Sequence, residues 1–370
     1  MMPKFTLSST TQPPLRVAIN GFGRIGRNVL RAYLERLLEG DQLANGLPSV
    51  TDIQIVAIND LADAPTLLHL LKYDSTHGRL DARIGATLTD NTLCIDLPTH
   101  SISLTILREA DPKYLPWRDL NIDVVLESTG HFRSYEGAYQ HLVAGARQVI
   151  IGAAPFDHVD ASIVLGVNRH ALTRKQPIVS GVSCTTQALV PLLFVLDNAF
   201  GVQSAMMTEI HAVTADQTVL DQAHRDWRRA RASGHNMIPT TSSSIAAVGK
   251  VLPAMADKIN GHSIRVPTID VAAIDVTLTL NTAVTSAELN ACLQHASANA
   301  FWGIMAYSDE PLVSSDYIHH SASLVIDSLQ TMQVGTGTCA QYKVFAWYDN
   351  EWGYANRMLD MLAHLAALAS

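Results

Sequence analysis

Cysteine is scarce here: the chain of 370 residues has four, at positions 94, 184, 292 and 339. None forms a Cys-x-x-Cys pair, and no His/Cys group stands at metal-ligand spacing, so neither a disulfide framework nor a metal site is indicated. That usage fits a reducing compartment. No run is long and apolar enough to span a bilayer. The opening "MMPKFTLSSTTQPP" is polar, lacks the apolar core of a signal peptide, and reads as a flexible tail over residues 1–14. A soluble, cytoplasmic protein with no membrane role is expected. Positive charge is also short. Against 34 Asp and Glu stand 26 Lys and Arg, for a net charge of −8, which argues against a nucleic-acid partner and against an anionic membrane surface. Internal repeats and low-complexity segments are absent.

What is present is apolar sequence, 48 % of the chain, over a length that exceeds the usual single core and predicts two domains. "LRVAIN" reads as a buried strand, and "GFGRIGRNVLRAYLERLL" as a glycine turn opening an amphipathic helix. Gly21, Gly23 and Gly26 thus form G-x-G-x-x-G between a strand and a helix, the context in which it signals dinucleotide binding. Gly21 makes the tight turn, Gly23 lets a pyrophosphate approach the backbone, and Gly26 lets the helix lie close to its strand. Phe22, Arg24 and Ile25 complete the candidate cofactor loop. After a polar insertion, "EGDQLANGLPSVTD", a second strand "IQIVAI" ends at Asn59-Asp60. Asp60 is placed to bind adenosine ribose hydroxyls and to repel a 2′-phosphate, which favours NAD over NADP. "TLCIDL" and "ISLTIL" read as a hairpin pair, "IDVVLESTG" as a strand ending in a turn at Ser128-Thr129-Gly130, and "EGAYQHLVAGA" as a helix. This β-α-β rhythm is that of a doubly wound, Rossmann-type α/β sheet.

At "SGVSCTTQALVPLL" a polar turn carrying Cys184 runs into an apolar helix. Unpaired N–H groups and the positive end of the helix dipole lower a thiol's pKa there and can hold an oxyanion. Beyond it, long β-rich runs ("SAMMTEIHAVT", "DVAAIDVTLTL", "ASLVIDS", "YKVFAWYD") predict an α+β second domain with a mixed or antiparallel sheet. Thr285 and Glu288 make a T-x-x-E capping box before a helix, and "NRMLDMLAHLAALA" reads as a closing amphipathic helix. Oxidising an aldehyde through a thiol needs a nucleophile, a base, an oxyanion site and a hydride acceptor. Cys184 supplies the first. His211, within an apolar strand, is the candidate base.

"INGFGRIGR", "KYDSTHGR", "LPWRDL", "ESTGHF", "GVSCTT", "EIHAVTA", "RVPTIDV" and "WYDNEWGYANR" together resemble the glyceraldehyde-3-phosphate dehydrogenase superfamily from residue 15 onward. The resemblance implies that Cys184 forms a thiohemiacetal with His211 as its base, and that Asn350 and Tyr354 orient the nicotinamide. It also implies substrate or phosphate contacts at Ser183, Thr185, Thr214, Arg228, Arg231, Ser242 and Ser243. The last helix would return to the first domain, giving an NAD-binding unit of residues 15–183 with 350–370 and a catalytic unit of 184–349. A homotetramer is implied, with the loop around 214–238 near an interface.

Within that superfamily the loop 211–239 is most like the erythrose-4-phosphate dehydrogenases. Asp216 is read as a carboxylate where the triose enzymes carry a threonine, placed to repel a phosphate, and Ser242-Ser243 as replacing Thr-Gly at the inorganic-phosphate site. The expectation is therefore NAD-dependent oxidation of a phosphorylated aldose, D-erythrose 4-phosphate, to 4-phosphoerythronate with water as acyl acceptor, a product that can feed pyridoxal phosphate synthesis. The alternatives are a phosphorylating glyceraldehyde-3-phosphate dehydrogenase and a non-catalytic NAD-binding redox sensor.

Overall fold

The computed structural model describes residues 13–40 and 49–368. Most of the tail read at 1–14 and the middle of the polar insertion lie outside the described residues. The chain opens with β1 (Leu15–Asn20), α1 (Arg24–Glu39), β2 (Ile53–Asn59) and α2 (Ala64–Lys72). A small hairpin, β3 (Tyr73–Asp74) and β4 (Gly78–Arg79), precedes the antiparallel meander β5 (Gly85–Thr89), β6 (Thr92–Asp96) and β7 (Ser101–Leu107). Then come β8 (Val124–Glu127), α3 (Tyr135–Val143), β9 (Gln148–Ile151), β10 (Ala161–Ser162) and β11 (Ile178–Ser180). They complete a nine-stranded sheet in the order β10-β11-β9-β8-β1-β2-β7-β6-β5, parallel from β10 to β7. Both β8 and β9 are buried at every residue, as parallel strands covered on two faces must be. The strand order reverses at β1, with β2 on one side and β8 on the other. At such a switch point the carboxyl ends of the strands open a crevice, and the turns at Gly21 and Ser128 stand there.

The second half builds α4 (Cys184–Phe200), β12 (Val202–Ala212), β13 (Ile238–Thr240), α5 (Ser244–Val251), β14 (Ile259–Val266), β15 (Ala272–Leu280) and α6 (Ser286–Ala298). It ends with β16 (Met305–Ser308), β17 (Leu324–Val334), β18 (Gln341–Tyr348) and α7 (Trp352–Ala367). The seven strands run β13-β14-β12-β15-β18-β17-β16, a mixed sheet with parallel pairs β12/β14 and β16/β17 and the other pairs antiparallel. Helix α4 lies on β12, β15 and β17 and against α5 and α6. Its Leu189, Val190, Leu192, Leu193 and Leu196 are fully buried, and each such side chain contributes roughly 1.5–3 kcal/mol. That anchorage fixes the helix start, and with it Cys184. The capping box holds: Thr285 Oγ1 accepts from Glu288 N at 3.2 Å and Glu288 Oε2 from Thr285 N at 2.7 Å.

The closing helix departs from the amphipathic reading. It begins at Trp352, before Asn356, because Asp349 Oδ1 accepts from the N–H groups of Glu351 (2.9 Å) and Trp352 (2.7 Å). It is buried on nearly every face, packing on α1, β1 and β2, with Arg36 paired to Asp360 at 2.8 Å. Among the described residues, no helix is long and apolar enough to cross a membrane.

Candidate active site

Ser183 caps α4: its Oγ accepts from Thr186 N at 3.1 Å. The residue before it, Val182, has φ +50°, a conformation that is strained for a β-branched side chain. Two bonds hold it there. Val182 N donates to Ser180 Oγ at 2.9 Å, and Tyr354 Oη donates to Val182 O at 2.8 Å. The tight turn sets Cys184 as the first residue of the helix, with its Sγ 3.5 Å from His211 Nε2. The structure thus brings together a thiol and an imidazole lying 27 positions apart in sequence.

Around this pair are groups that sequence reasoning did not single out. Parallel pairing of β12 with β14 sets Arg265 beside His211, and Arg265 Nη1 lies 2.7 Å from His211 Nδ1 and 3.3 Å from Ala212 O. His211 Nδ1 is also 2.7 Å from Ala212 O. It donates to that carbonyl or accepts from the guanidinium, not both, so Arg265 bears on which ring nitrogen carries the proton. Glu209, two residues back on the same strand face, is buried. Its Oε1 accepts from Thr185 Oγ1 at 2.9 Å and is 4.0 Å from His211 Nε2. Tyr348 Oη is 2.8 Å from Thr185 Oγ1. Burial, with the Glu209 carboxylate adding, pushes the Cys184 thiol up to about 12, against the pull of Arg265. Burial and the Arg265 charge push His211 down to about 3. The resting pair is therefore a neutral thiol and a neutral imidazole, and forming the thiolate calls for added positive charge.

The glycine turn is built as its spacing predicts. Gly21 has φ +90°, and a Cβ there would lie 2.5 Å from Thr129 N; one on Gly26 would lie 2.2 Å from Gly21 O; around Gly23 nothing stands within 4 Å. Phe22 N and Ala62 N donate to Asp60 at 2.7 and 2.9 Å, so Asp60 ties the glycine turn to the loop that follows β2. Ile25 packs against the core. Arg24 is held by Glu351 and Asp74. Across the crevice, Thr129 N donates to Glu127 Oε1 at 2.8 Å, and Gly130 takes φ +75°. Asn350 Oδ1 and Ser128 Oγ are among the buried atoms that lack partners. An open glycine backbone and unpartnered amide and hydroxyl oxygens are what a bound dinucleotide would satisfy.

The remaining expected residues divide. Ser183 Oγ lies 3.0 Å from Ser244 Oγ, so the starts of α4 and α5 converge, with Ser242 and Ser243 beside them. Thr214 is bonded to Gln217 at the head of the loop. Arg231 is exposed and paired with Asp221 at 3.3 Å, Arg228 is exposed, and the guanidinium that reaches His211 is Arg265. The reading of Asp216 is corrected. It is matched by Arg229 and lies 3.5 Å from His224, so its charge is compensated within the loop and the repulsion argument falls.

A further cluster joins the β3–β4 hairpin to the loops before β15 and after β18. His77, Asp270 and Asp349 bring ligand-type atoms within 4.8 Å of one another, a grouping invisible to sequence spacing. Burial and the Asp349 and Glu351 carboxylates push Asp270 up to about 9. That direction favours the protonated carboxyl and lessens the crowding of charge.

Residues 15–135 match the family described as "Glyceraldehyde 3-phosphate dehydrogenase, NAD binding domain", and residues 183–350 its "C-terminal domain". The chain is 44 % identical over 354 residues to the glyceraldehyde-3-phosphate dehydrogenase of Geobacillus stearothermophilus, covering 95 % of this chain and 98 % of the relative. It is 43 % identical to glyceraldehyde-3-phosphate dehydrogenase 1 of Bacillus cereus, with coverage of 95 % and 98 %. Against glyceraldehyde-3-phosphate dehydrogenase 2 of Streptomyces avermitilis the identity is 42 %, with coverage of 94 % and 97 %.

Proposed function

The chain belongs to the glyceraldehyde-3-phosphate dehydrogenase family and is an NAD-dependent oxidoreductase; from that premise we propose that it oxidises glyceraldehyde 3-phosphate through Cys184, with inorganic phosphate as the acyl acceptor. The observation that carries the chemistry is the 3.5 Å approach of Cys184 Sγ to His211 Nε2 at the start of α4. The sulfur adds to the aldehyde carbon, the N–H groups at the helix start hold the oxygen, and His211 takes the hydroxyl proton as the carbonyl re-forms. NAD, when bound, supplies the hydride acceptor and a positive ring that favours the thiolate. The named substrate of the similar enzymes supports the triose over erythrose 4-phosphate, and the compensation of Asp216 removes one reason for the latter.

We assign Gly21, Phe22, Gly23, Ile25, Gly26, Asp60, Ser128, Thr129, Gly130 and Asn350 to NAD. Arg24 ties the start of α1 to Glu351 at the head of α7, and Tyr354 holds the turn at Val182. Ser183, Thr185, Ser242 and Ser243 belong to the acyl and phosphate side, with Arg265 in place of Arg231 as its cation. Packing of α7 on α1 supports an NAD-binding unit of 15–183 with 350–370 and a catalytic unit of 184–349. A cytoplasmic homotetramer is part of the same proposal.

Erythrose 4-phosphate remains the second reading, favoured by Ser242-Ser243 at the start of α5. Trapping tests the shared step. Acid quenching with aldose and NAD should leave the acyl group on the peptide that carries Cys184; acylation elsewhere, or none, would remove the proposal.

A further inference from the structure

Glu209 is a buried carboxylate, 3 % exposed, that the thiol–imidazole chemistry does not use. Strand β12 alternates faces, so Glu209 and His211 point to the same side. Glu209 Oε1 accepts the Thr185 hydroxyl at 2.9 Å and stands 4.0 Å from His211 Nε2, while Oε2 is buried and has no partner. The same Nε2 is 3.5 Å from the sulfur. One ring nitrogen therefore faces both the nucleophile and a carboxylate with acceptor capacity to spare.

We propose that Glu209 is the proton-holding partner of His211: its carboxylate takes from Nε2 the proton that His211 has removed from the substrate hydroxyl. The proposal rests on the role given to Cys184 and His211 above. The steps balance. In the thiohemiacetal, the C1–H bond breaks with its electron pair leaving for NAD, the O–H bond breaks with its proton passing to Nε2, and the C=O of the thioester forms. Nδ1–H then donates to Ala212 O, Nε2–H turns to Oε1, and transfer gives a neutral carboxylic acid and a neutral imidazole. A side-chain closure of roughly 1 Å brings the two within hydrogen-bond reach. His211 is then free to accept the proton of the incoming acyl acceptor. After the product leaves, the proton returns through His211 to solvent.

The groups facing Glu209 agree with this traffic. Helix α4 presents Cys184 and Thr185, β18 presents Tyr348, β14 carries Ser263 in register and Arg265 two residues on, and β15 contributes apolar Ile274. The Glu209 charge raises the Cys184 thiol, so the carboxylate opposes the thiolate at rest and favours an imidazolium during turnover.

The test is E209Q, which keeps shape and the bond to Thr185 but cannot hold the proton, measured by rapid-mix NADH formation and by iodoacetamide labelling of Cys184 across pH. The expected result is a retained burst of one NADH per chain, steady turnover at least tenfold lower, and labelling at neutral pH several-fold faster. Unchanged steady turnover, or labelling and turnover falling together, would overturn the proposal. If E209Q does not fold, E209D carries the test: retaining a proton acceptor, it should keep most of the steady rate, and a loss as deep as tenfold counts against proton holding. A wild-type protein that gives no NADH with either aldose would instead defeat the underlying reading.

Discussion

Arg265 of β14 and His211 of β12 stand in register across a parallel strand pair, with Arg265 Nη1 2.7 Å from His211 Nδ1. The guanidinium lowers both members of the reacting pair, the imidazole and the thiol. Removing it raises both. R265Q should therefore move the alkylation profile of Cys184 to higher pH and lower turnover by about 10- to 100-fold. R265K should recover only part, because a lysine does not reproduce the planar fork. An alkylation profile unmoved in R265Q would contradict the electrostatic role.

The two glycines of the dinucleotide turn should separate stability from binding. At Gly21 a Cβ meets Thr129 N at 2.5 Å with φ +90°, so G21A should lose about 1–3 kcal/mol and bind NAD poorly. Around Gly23 nothing stands within 4 Å. G23A should keep its thermal midpoint and still weaken NAD about tenfold, the methyl group occupying the space of the pyrophosphate. Calorimetry with and without NAD reads both quantities, and equal affinity in G23A and wild type would show that the turn does not face the cofactor.

Asp270 makes stability fall as pH rises. Its carboxyl is raised from the ordinary 3.8 to about 9, so between those values the folded chain holds a proton that the unfolded chain releases. The stabilisation is complete below the lower value and is lost progressively up to the upper one. D270N, permanently neutral, should flatten the dependence of the thermal midpoint between pH 5 and 9 and raise it by a few degrees at the alkaline end. A wild-type midpoint that climbs across this window, with D270N parallel to it, would contradict the assignment.

Much of the first sheet was legible, because alternation of apolar strands with glycine turns is local information. G-x-G-x-x-G between β1 and α1, the capping box at Thr285 and the start of α4 at Cys184 all depend on residues a few positions apart. Glu209 was within reach of the same logic, since E-I-H in a strand places the first and third residues on one face. Arg265 was not, because its meeting with His211 depends on the pairing of β12 with β14. Arg228 and Arg231 are marked by the resemblance as substrate contacts, but the motif carries no record that Arg229 pairs with Asp216 and Arg231 with Asp221. Asp216 shows the same limit: a charge read alone on a loop carries no record of the cation that folds onto it. Composition likewise failed at α7, whose polar Asn356, Arg357 and Asp360 are buried, Arg357 and Asp360 paired at 2.7 Å.

The measurement that bears most directly on the account is NADH formation by the purified protein with NAD and glyceraldehyde 3-phosphate, with and without inorganic phosphate, beside erythrose 4-phosphate under the same conditions. The account predicts faster turnover of the triose, dependent on phosphate and abolished in C184S. Faster turnover of the four-carbon sugar, indifferent to phosphate, would contradict it and return Ser242-Ser243 to the centre of the specificity argument.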